Sequence, residues 1–256
     1  MKNYRYALLL AAALLYAPAL MASEDTAPLR EPAGGWHHAG ITGTFDRASL
    51  QRGFQVYKEV CATCHGLHLL SYRNLVDIGF TADEVKAIAS GYQVADGPND
   101  EGEMFQRPGL PSDRFVKPFP NDMAARAANN GALPPDLSLI VKARHGGENY
   151  IYSLLTGYEE KPPEGVTLMA GMYYNASFSG HQIAMPPPLT NDQVTYADGT
   201  KATVAQMSKD VATFLTWAAE PKLEIRKQTG IKVILFLIVF AGIMYVVKRR
   251  VWHKLH

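Results

Sequence analysis

Apolar residues recur at the spacing of an α-helix along three segments of the chain, and these segments predict its main helices. The first runs from 45 to 65, with Asp46 and Ser49 both plausible as N-caps and Gly66 at its end. Its apolar positions share one face: Leu50, Phe54, Tyr57 and Cys61. The pattern therefore predicts a helix that buries this face and continues as far as residue 65.

Two further helices are indicated by capping boxes, in which a threonine is followed three residues later by Glu or Gln. One begins at 81–84 and ends at Gly91, and the other begins at 203–206 and ends before Pro221. The second is long and carries its apolar residues at helical spacing. We expect it to pack across the first helix of the chain.

Shorter helices are predicted over 121–130, 133–146 and 148–156, since each segment has helical patterning and ends at glycine. Residues 158–180 are interrupted by Pro and Gly and predict a loop. Residues 23–44 are also rich in Pro and Gly without a helical period, and we expect an extended arm laid over the domain. The pattern predicts a mainly α fold with long loop insertions.

Both ends of the chain carry apolar runs with basic flanks. The N-terminal run is short, which is typical of a secretory signal peptide, predicted at 1–22. The C-terminal run is long enough to predict a transmembrane anchor at 229–248, although a buried helix of a soluble protein can have the same composition. Between them the sequence predicts an exported periplasmic domain at 23–228, and after the anchor a cytoplasmic tail at 249–256.

The chain has 25 basic and 24 acidic residues, but the two signs are unevenly distributed. Seven bases and none of the acids fall within the predicted signal, anchor and tail, which leaves 18 bases against 24 acids in the exported domain. A formal charge near −6 favours cationic partners and argues against nucleic acid. Four of these acids lie in the run 96–103, which is either a solvated loop or a docking surface.

The two cysteines of the sequence lie in the motif Cys61-Ala-Thr-Cys64-His65, which has the spacing of a c-type haem attachment site. On a helix, residues three apart share a face, so both sulfurs could form thioethers to one porphyrin while His65 binds its iron. A thioredoxin-like redox pair and a zinc site are the alternatives. The first would normally accompany a βαβ pattern, which is not evident here, and the second would need further ligands.

A second axial ligand is best supplied by Met185, since the prolines at 186–188 hold the following backbone extended and stiff. The rivals by residue type are four methionines and three histidines: Met104, Met123, Met169, Met172, His68, His145 and His181. Arg144 could hold a haem propionate or simply favour a helix C-terminus. His37 and His38, in the arm, are interpreted as surface or partner-contacting residues.

Several longer motifs resemble the cytochrome c1 family, whose members are the haem subunits of ubiquinol–cytochrome c oxidoreductase (the cytochrome bc1 complex). They extend over nearly all of the chain after the predicted signal: 52–58, 61–65, 96–99, 102–105, 107–109, 124–138, 143–147, 154–158 and 217–221. The resemblance implies a class I cytochrome c-like haem domain with long loop insertions, plus one C-terminal transmembrane helix.

The resemblance also implies a role for each candidate site residue. Cys61 and Cys64 would bind one haem c covalently, with His65 and Met185 as axial ligands of its iron. Arg144 would hold a propionate, and three further residues would line the pocket: Asn129, Pro135 and Tyr150. Some bacterial members brace the segment before the ligand methionine with a disulfide. This chain has no cysteines for one, so its prolines would have to supply the stiffness.

The implied function is electron transfer. The domain would accept one electron from a Rieske iron–sulfur protein and pass it to a soluble or membrane-tethered cytochrome c, with cytochrome b as its membrane partner. By itself it would be a carrier and not an enzyme. Its implied location is the bacterial inner membrane, with the haem domain on the periplasmic side. The alternatives are a cytochrome subunit of another periplasmic dehydrogenase and a c-type haem enzyme with an open iron position.

Overall fold

The computed structural model describes residues 27–253, so the predicted signal peptide and the end of the predicted tail lie outside the described part of the chain. Six α-helices are found in this part: α1 (Arg47–Glu59), α2 (Ala82–Ser90), α3 (Asp122–Ala128), α4 (Gly147–Thr156), α5 (Val204–Ala219) and α6 (Leu223–Trp252). Two 3₁₀ segments add to them, Cys61–Thr63 and Tyr72–Ile78. The prediction of a mainly α fold is confirmed.

Two small antiparallel hairpins interrupt the helices, and the hydrophobic pattern did not reveal them. Their strands are β1 (Gln93–Asp96) paired with β2 (Phe105–Pro108), and β3 (Tyr173–Tyr174) paired with β4 (Gln182–Ile183). Strands of two to four residues are too short to display an alternating pattern. For this reason the sequence predicted only loops at both places.

The core forms where α1 crosses α5, as the apolar faces of these helices predicted. Phe54 and Tyr57 of α1 are at most 4% exposed and contact the ring of the fully buried Phe214 of α5. Gly53 permits the close approach, because a Cβ at this position would lie 2.1 Å from the carbonyl oxygen of Asp210. The crossing fixes α1, and with it the residues that follow α1, against α5.

A buried carboxylate lies at the same crossing. Asp210 is 0% exposed and accepts hydrogen bonds from the Ser49 hydroxyl (2.7 Å) and from Nε of Arg52 (2.9 Å). The Gln206 side chain also donates to Asp210 (3.0 Å), so it does not complete the capping box predicted at the start of α5. Thr203 still caps α5 by accepting from the Gln206 backbone N–H (3.1 Å). A buried charge that depends on several donors opposes any shift between α1 and α5.

Most of the predicted helix ends are confirmed. α2 has the full capping box, in which Glu84 N–H donates to the Thr81 hydroxyl (3.2 Å) and Thr81 N–H donates to the Glu84 carboxylate (2.7 Å). Of the two candidate caps of α1, Asp46 is the one used, since its side chain accepts from the Ala48 N–H (3.0 Å). α5 ends at Ala219, before the proline that the sequence marked.

The helix predicted over 133–146 is wrong, because this segment forms a series of turns. Its first backbone donors are engaged elsewhere. The Leu137 N–H donates to the Gly66 carbonyl (2.8 Å), and the Ser138 N–H donates to the Asp136 side chain (2.9 Å). An Asp side chain that closes a local turn competes with the helical ladder. The segment is therefore fastened to the loop that follows the cysteine motif.

The N-terminal segment confirms the prediction of an extended arm over the domain. Its Arg30 N–H donates to the Ser153 hydroxyl (2.7 Å) and its Trp36 ring N–H donates to the Asn149 side chain (2.6 Å). Both partners lie on α4, so the arm is attached along that helix.

His38 lies inside the fold, at 4% exposure, so its interpretation as a surface histidine is wrong, whereas His37 is exposed. The arm places the His38 ring between Phe45 and Trp36, with ring centroids 4.9 and 5.7 Å away. Aromatic packing next to α1 outweighed the polarity of the imidazole.

α6 is one continuous helix of 30 residues that follows α5 after a short turn. It is long and apolar enough to cross a membrane, and its most apolar stretch is 0% buried in the domain, unlike the core helix of a soluble protein. Its first turn is bound to the domain, since Glu224 accepts from the Phe45 N–H (2.7 Å) and from Arg47 (2.7 Å). The apolar helix is thereby joined directly to the start of α1.

Candidate haem site

The two cysteines lie on a tight turn after α1. The α-helix stops at Glu59 and is followed by the 3₁₀ turn Cys61–Thr63, so it does not continue to residue 65 as predicted. The N–H groups of Cys64 and His65 both donate to the Cys61 carbonyl, at 3.1 and 2.9 Å. In a 3₁₀ turn, side chains three residues apart eclipse one another. Cys61 and Cys64 therefore still share one face.

Both thiols are free and half-buried. Burial, with a smaller contribution from Cys64, raises the pKa of the Cys61 thiol to about 12. A thiol that works in redox exchange has a lowered pKa, because the thiolate is the reactive form. Within residues 27–253, no group of three His, Cys, Asp or Glu side chains is placed to hold a metal ion. The raised pKa of Cys61 does not favour the redox pair.

The His65 ring is oriented by a backbone carbonyl. Its Nδ1 lies 2.8 Å from the Pro135 oxygen, and since a carbonyl only accepts, Nδ1 carries the proton. Nε2 then has a free lone pair and makes no hydrogen bond among the residues that the structure describes. Burial lowers the pKa of His65, which keeps the ring neutral. An oriented, neutral imidazole with one open nitrogen is what a metal ion requires of a histidine ligand.

The Pro135 segment is fastened to the chain immediately after His65. We name residues 66–69 and 135–138 together the histidine clamp. Two hydrogen bonds join its halves through backbone N–H donors: Leu137 to the Gly66 carbonyl (2.8 Å) and Leu69 to the Ser138 hydroxyl (3.1 Å). The clamp holds the Pro135 carbonyl beside the ring that it orients.

Asp136 is the central acceptor of the histidine clamp. Its carboxylate receives the His68 backbone N–H (2.9 Å), the His68 ring Nδ1 (2.8 Å) and the Ser138 N–H (2.9 Å). Burial by itself would raise the pKa of Asp136, but these donors outweigh it and hold the pKa below its ordinary value. Because Asp136 directly follows Pro135, it positions the carbonyl to which His65 donates.

Met185 lies two residues after β4, at the start of the triple proline. It is half-buried, and its carbonyl accepts a hydrogen bond from the Tyr158 hydroxyl (3.0 Å). Burial, with a smaller contribution from Tyr150, raises the pKa of Tyr158, so this hydroxyl stays a donor. The backbone of Met185 is thus held between a buried tyrosine and a stiff proline segment.

The segment before Met185 is braced by hydrogen bonds. No disulfide is found within residues 27–253. We name residues 173–183 the methionine hairpin. Its residue Asn175 is 0% exposed, donates to the Leu154 carbonyl (2.8 Å) and accepts from the Ser177 N–H (3.0 Å). The hairpin is therefore attached to the end of α4, and the stiffness of this side does not come from prolines alone.

Most of the rival methionines are less suited by position. Three of them are largely exposed: Met104 (66%), Met123 (80%) and Met169 (60%). Met172 is half-buried, as Met185 is, and it remains a rival. Among the methionines of residues 27–253, Met185 alone combines partial burial with a stiff following segment.

The rival histidines are exposed or engaged. His145 is exposed, and the ring of His68 is bound to Asp136. The ring of His181 stacks on Tyr174, with centroids 5.7 Å apart. Of the three, only His68 has a ring held through Nδ1 as that of His65 is, so His68 remains a rival by orientation.

The other predicted site residues lie around these elements. Asn129 is half-buried at the end of α3 and donates to the Ala125 carbonyl (2.7 Å), and Tyr150 of α4 packs against the core. Arg144 is exposed and donates to the adjacent Ala143 carbonyl (3.1 Å). Its alternative role at a helix C-terminus is wrong, since the residues before it form turns. No recorded hydrogen bond among residues 27–253 joins Arg144 or Asn129 to His65 or Met185.

Sequence patterns did not identify the residues that brace the site. Asp136 and Asn175 each stand two residues before a serine, which is the spacing of an Asx turn. That signal could have marked both as turn residues. It could not have shown that their remaining polar atoms reach His68 and Leu154, because those contacts depend on the tertiary structure.

Comparison with known proteins gives a consistent result. A model of the cytochrome C1 family matches residues 36–255. A Solanum tuberosum protein named cytochrome c1-2, heme protein, mitochondrial, is 56% identical over 221 residues, which are 86% of this chain and 85% of that protein. A Saccharomyces cerevisiae protein named cytochrome c1, heme protein, mitochondrial, is 52% identical over 226 residues, 87% of this chain and 73% of that protein.

A bacterial relative extends beyond the matched region. The Bradyrhizobium diazoefficiens protein named cytochrome b/c1 is 53% identical over an alignment of 248 residues, and the match covers 89% of this chain. The match spans about a third (36%) of that longer protein. Because the family model covers most of the sequence and relatives above 50% identity align along it, this chain belongs to the cytochrome c1 family.

Proposed function

We propose that this chain is the electron-transfer subunit of a cytochrome bc1 complex and that it carries one covalently attached haem c. Membership of the cytochrome c1 family supports the role of electron carrier. The structural observation that carries the site assignment is the pairing of His65 Nδ1 with the Pro135 carbonyl (2.8 Å), directly after two thiols on one turn. This arrangement leaves one imidazole nitrogen open beside two thioether-forming sulfurs.

The residues present fit such a cofactor. The thiols of Cys61 and Cys64 are half-buried and are not consumed in a disulfide. Leu133 and Leu139, on either side of Pro135, are 37% and 47% exposed. Apolar surface of this kind is costly in water and is suited to cover the faces of a porphyrin.

The chain's own residues would attach, orient and enclose the group. Cys61 and Cys64 would form the thioethers, and His65 and Met185 would bind the iron. Haem c, when bound, supplies one-electron chemistry at its iron. The thioether of Met185 would favour the reduced state of the iron relative to a harder ligand. The histidine clamp would fix the orientation of the His65 imidazole.

Four further residues belong to the proposed pocket. Three of them form its wall, and the fourth binds a haem propionate. Asn129, Pro135 and Tyr150 line the pocket, while Arg144 reaches a carboxylate with its guanidinium. Arg144 is suited to this role, because it is exposed and its contact with Ala143 uses one of five donors. A carrier needs no acid, base or nucleophile, so these residues set potential and orientation only.

The partners follow from the proposed place in the complex. Cytochrome b would be the membrane partner, a Rieske iron–sulfur protein the electron donor, and a soluble or membrane-tethered cytochrome c the acceptor. The acidic loop 97–104, between β1 and β2, is exposed throughout and carries three carboxylates in its sequence. Its charge suits a cationic acceptor, whose approach would slow as salt screens the attraction.

Membrane attachment is through α6, which anchors the chain in a single pass. We place the signal peptide at 1–22, the periplasmic haem domain at 23–228, the span at 229–248 and the cytoplasmic tail at 249–256. Covalent haem attachment normally takes place on the exported side of a membrane, which supports a bacterial inner-membrane location with the domain in the periplasm.

The first test is carbon monoxide added to the dithionite-reduced, detergent-purified protein. Two protein ligands on the iron leave no position for it, so the visible spectrum should not change. A clear change in the wild-type spectrum would contradict Met185 as a ligand and favour a haem enzyme. Haem staining of denatured Cys61→Ser and Cys64→Ser variants measures the covalent attachment, which each substitution should reduce.

The second test concerns the complex. Affinity purification of the full chain from its membrane should also yield cytochrome b and a Rieske protein. Quinol added to this preparation should then reduce the haem. Isolation with a different dehydrogenase, and without cytochrome b, would favour the alternative function.

A further inference from the structure

A cavity of about 310 Å³ lies where the arm, α4, α5 and the first turn of α6 meet. Its polar and charged lining differs from that of the candidate haem site. The residues that matter for its chemistry are His38, Lys142, Glu148, Glu220, Leu223 and Lys227. A volume near the lower end of the range for ligand sites suits a group smaller than a drug-sized molecule.

The cavity lies at the level expected for lipid headgroups. Lys227 and Leu223 precede the proposed start of the membrane span by two and six residues, about 3 and 9 Å along an α-helix. Each headgroup layer is about 5–8 Å thick, from the difference between the hydrocarbon core and the whole bilayer. The Lys227 end of the cavity therefore lies within the layer that holds phosphates and amines, and the Leu223 end lies just above it.

A buried histidine faces this cavity without a hydrogen-bond partner. His38 is 4% exposed, and both of its ring nitrogens are buried and unpaired among the described residues. The Glu148 carboxylate oxygen is 3.6 Å from Nε2, which is longer than a hydrogen bond. A buried polar group in this state requires a partner, since leaving it unpaired costs about 1–3 kcal/mol.

The charges of the lining are of both signs. Lys227 donates to the carbonyls of His38 (2.5 Å) and Gly43 (3.1 Å), which leaves its third N–H free for another acceptor. Lys142 is paired with Glu220 (3.2 Å) and is half-exposed. Two cations, one imidazole donor and two carboxylates match a ligand that carries both a phosphate and an ammonium group, while Leu223 adds an apolar wall.

We propose that this cavity binds the headgroup of a zwitterionic phospholipid of the phosphatidylethanolamine type. The phosphate lies toward Lys227, Lys142 and the His38 imidazole, and the ammonium lies toward Glu148. The acyl chains continue down the apolar face of α6. The lipid thereby connects the arm to the membrane anchor. The inference rests on the single-pass anchor and is independent of the haem assignment.

Binding of the lipid is tested with the full-length, haem-loaded protein, purified in detergent and washed free of lipid. Short-chain phosphatidylethanolamine, phosphatidylglycerol and inorganic phosphate are titrated separately and followed by calorimetry. Phosphatidylethanolamine should bind most tightly. Binding of inorganic phosphate with equal affinity would show a free phosphate site, and tighter binding of phosphatidylglycerol would show an anionic-lipid site; either result overturns the proposal.

The residues are tested by matched variants. His38→Phe keeps an aromatic ring against Phe45 and removes both nitrogens, so phosphatidylethanolamine affinity should fall about tenfold, as expected for one lost charge-assisted hydrogen bond. His37→Phe, in the exposed neighbour, should leave it unchanged. If the two variants bind equally well, the proposal is wrong.

A second pair of variants tests the proposal if His38→Phe does not fold. Lys142→Gln removes one cation from the rim, and its half-exposed ion pair contributes little to stability. It should weaken binding severalfold, whereas Lys86→Gln, on the exposed side of α2, should not. Equal binding by this pair would also overturn the proposal. The visible spectrum should stay that of the wild type in all four variants, which separates this test from that of the haem site.

Discussion

The two sides of the proposed haem site are built differently. On the His65 side, the ring that would bind iron is itself held, by the Pro135 carbonyl (2.8 Å) and by the histidine clamp behind it. On the Met185 side, only the backbone is held, by the Tyr158 hydroxyl (3.0 Å) and the methionine hairpin. A thioether has no strong hydrogen-bonding group, so a protein can position it only through backbone and packing.

This difference has a consequence for function. A ligand whose ring is itself hydrogen-bonded keeps its orientation when its own backbone shifts slightly. A ligand that is positioned through its backbone moves with its loop. We therefore expect the Met185 bond to be the more easily lost of the two, and the reduction potential to respond to changes on either side in opposite directions.

The largest effect is expected from Met185→Leu. Leucine keeps the volume and cannot bind iron, so the potential should fall by of order 0.1 V or more, within the span of about 0.8 V that axial ligands cover in haem proteins. Carbon monoxide should then bind the reduced form. Potentiometric titration of the purified protein measures the change.

Met172→Leu is the matched control, because Met172 is the other half-buried methionine of this region. It should keep the wild-type potential and exclude carbon monoxide. An unchanged potential in Met185→Leu, with a fall in Met172→Leu, would transfer the ligand role to Met172.

Asp136→Ala tests the His65 side by removing the central acceptor of the histidine clamp. It leaves the His68 and Ser138 donors without their acceptor, at a cost of about 2 kcal/mol in unfolding free energy. A looser Pro135 carbonyl makes His65 a weaker donor of charge to the iron, so the potential should rise while carbon monoxide still does not bind. Urea unfolding and redox titration measure both quantities. A fall in potential would contradict the role of the histidine clamp.

Acid should weaken the same side. The pKa of Asp136 lies below the ordinary value of an aspartate, because its hydrogen-bond donors outweigh its burial. Its contribution to stability is therefore complete above the ordinary aspartate pKa and is lost as pH falls through the lowered, folded-state value. Unfolding free energy measured from neutral pH downwards should decline less in Asp136→Asn than in the wild type. Parallel declines would show that other carboxylates dominate.

Asn175→Ala should loosen the position of Met185 without abolishing its bond to iron. The change removes one of the two donors to the Leu154 carbonyl, which keeps the Gly157 N–H (3.3 Å), and it leaves the Ser177 N–H without its acceptor, at a cost of about 1–3 kcal/mol. The methionine hairpin loosens from α4, so carbon monoxide should bind slowly to a fraction of the reduced protein. The ferric charge-transfer band that reports methionine ligation should also weaken. If this band is unchanged while stability falls, Asn175 stabilises the fold and does not position Met185.

Tyr158→Phe is expected to have the smallest effect. It removes one hydroxyl, whose hydrogen bond to the Met185 carbonyl contributes about 1 kcal/mol. The charge-transfer band should persist at room temperature and disappear at a lower temperature than in the wild type. Tyr152→Phe, in the same helix region, serves as a control that leaves the Met185 carbonyl bonded. Identical melting of the band in both variants would contradict a role for Tyr158.

Several elements could be predicted from the sequence because their signals are local. The capping box of α2 and the apolar face of α1 depend on residues three or four apart, and the structure confirms both. The cysteine motif is also local, and its spacing survives the change from an α-helix to a 3₁₀ turn. In contrast, the helix predicted over 133–146 does not form, because the Asp136 side chain and the Gly66 carbonyl accept hydrogen bonds from its first backbone N–H groups.

The sequence by itself determined the helical class, the apolar anchor, the cysteine–histidine motif and the proline-bounded methionine, because short-range spacing and composition carry these features. Only the tertiary structure decided which carbonyl orients His65, which buried amide braces the methionine hairpin, and where the His38 ring lies. The physical reason is the same in each case. A hydrogen-bond donor or aromatic ring selects among partners that are far apart in the chain, and packing decides which of them is within reach.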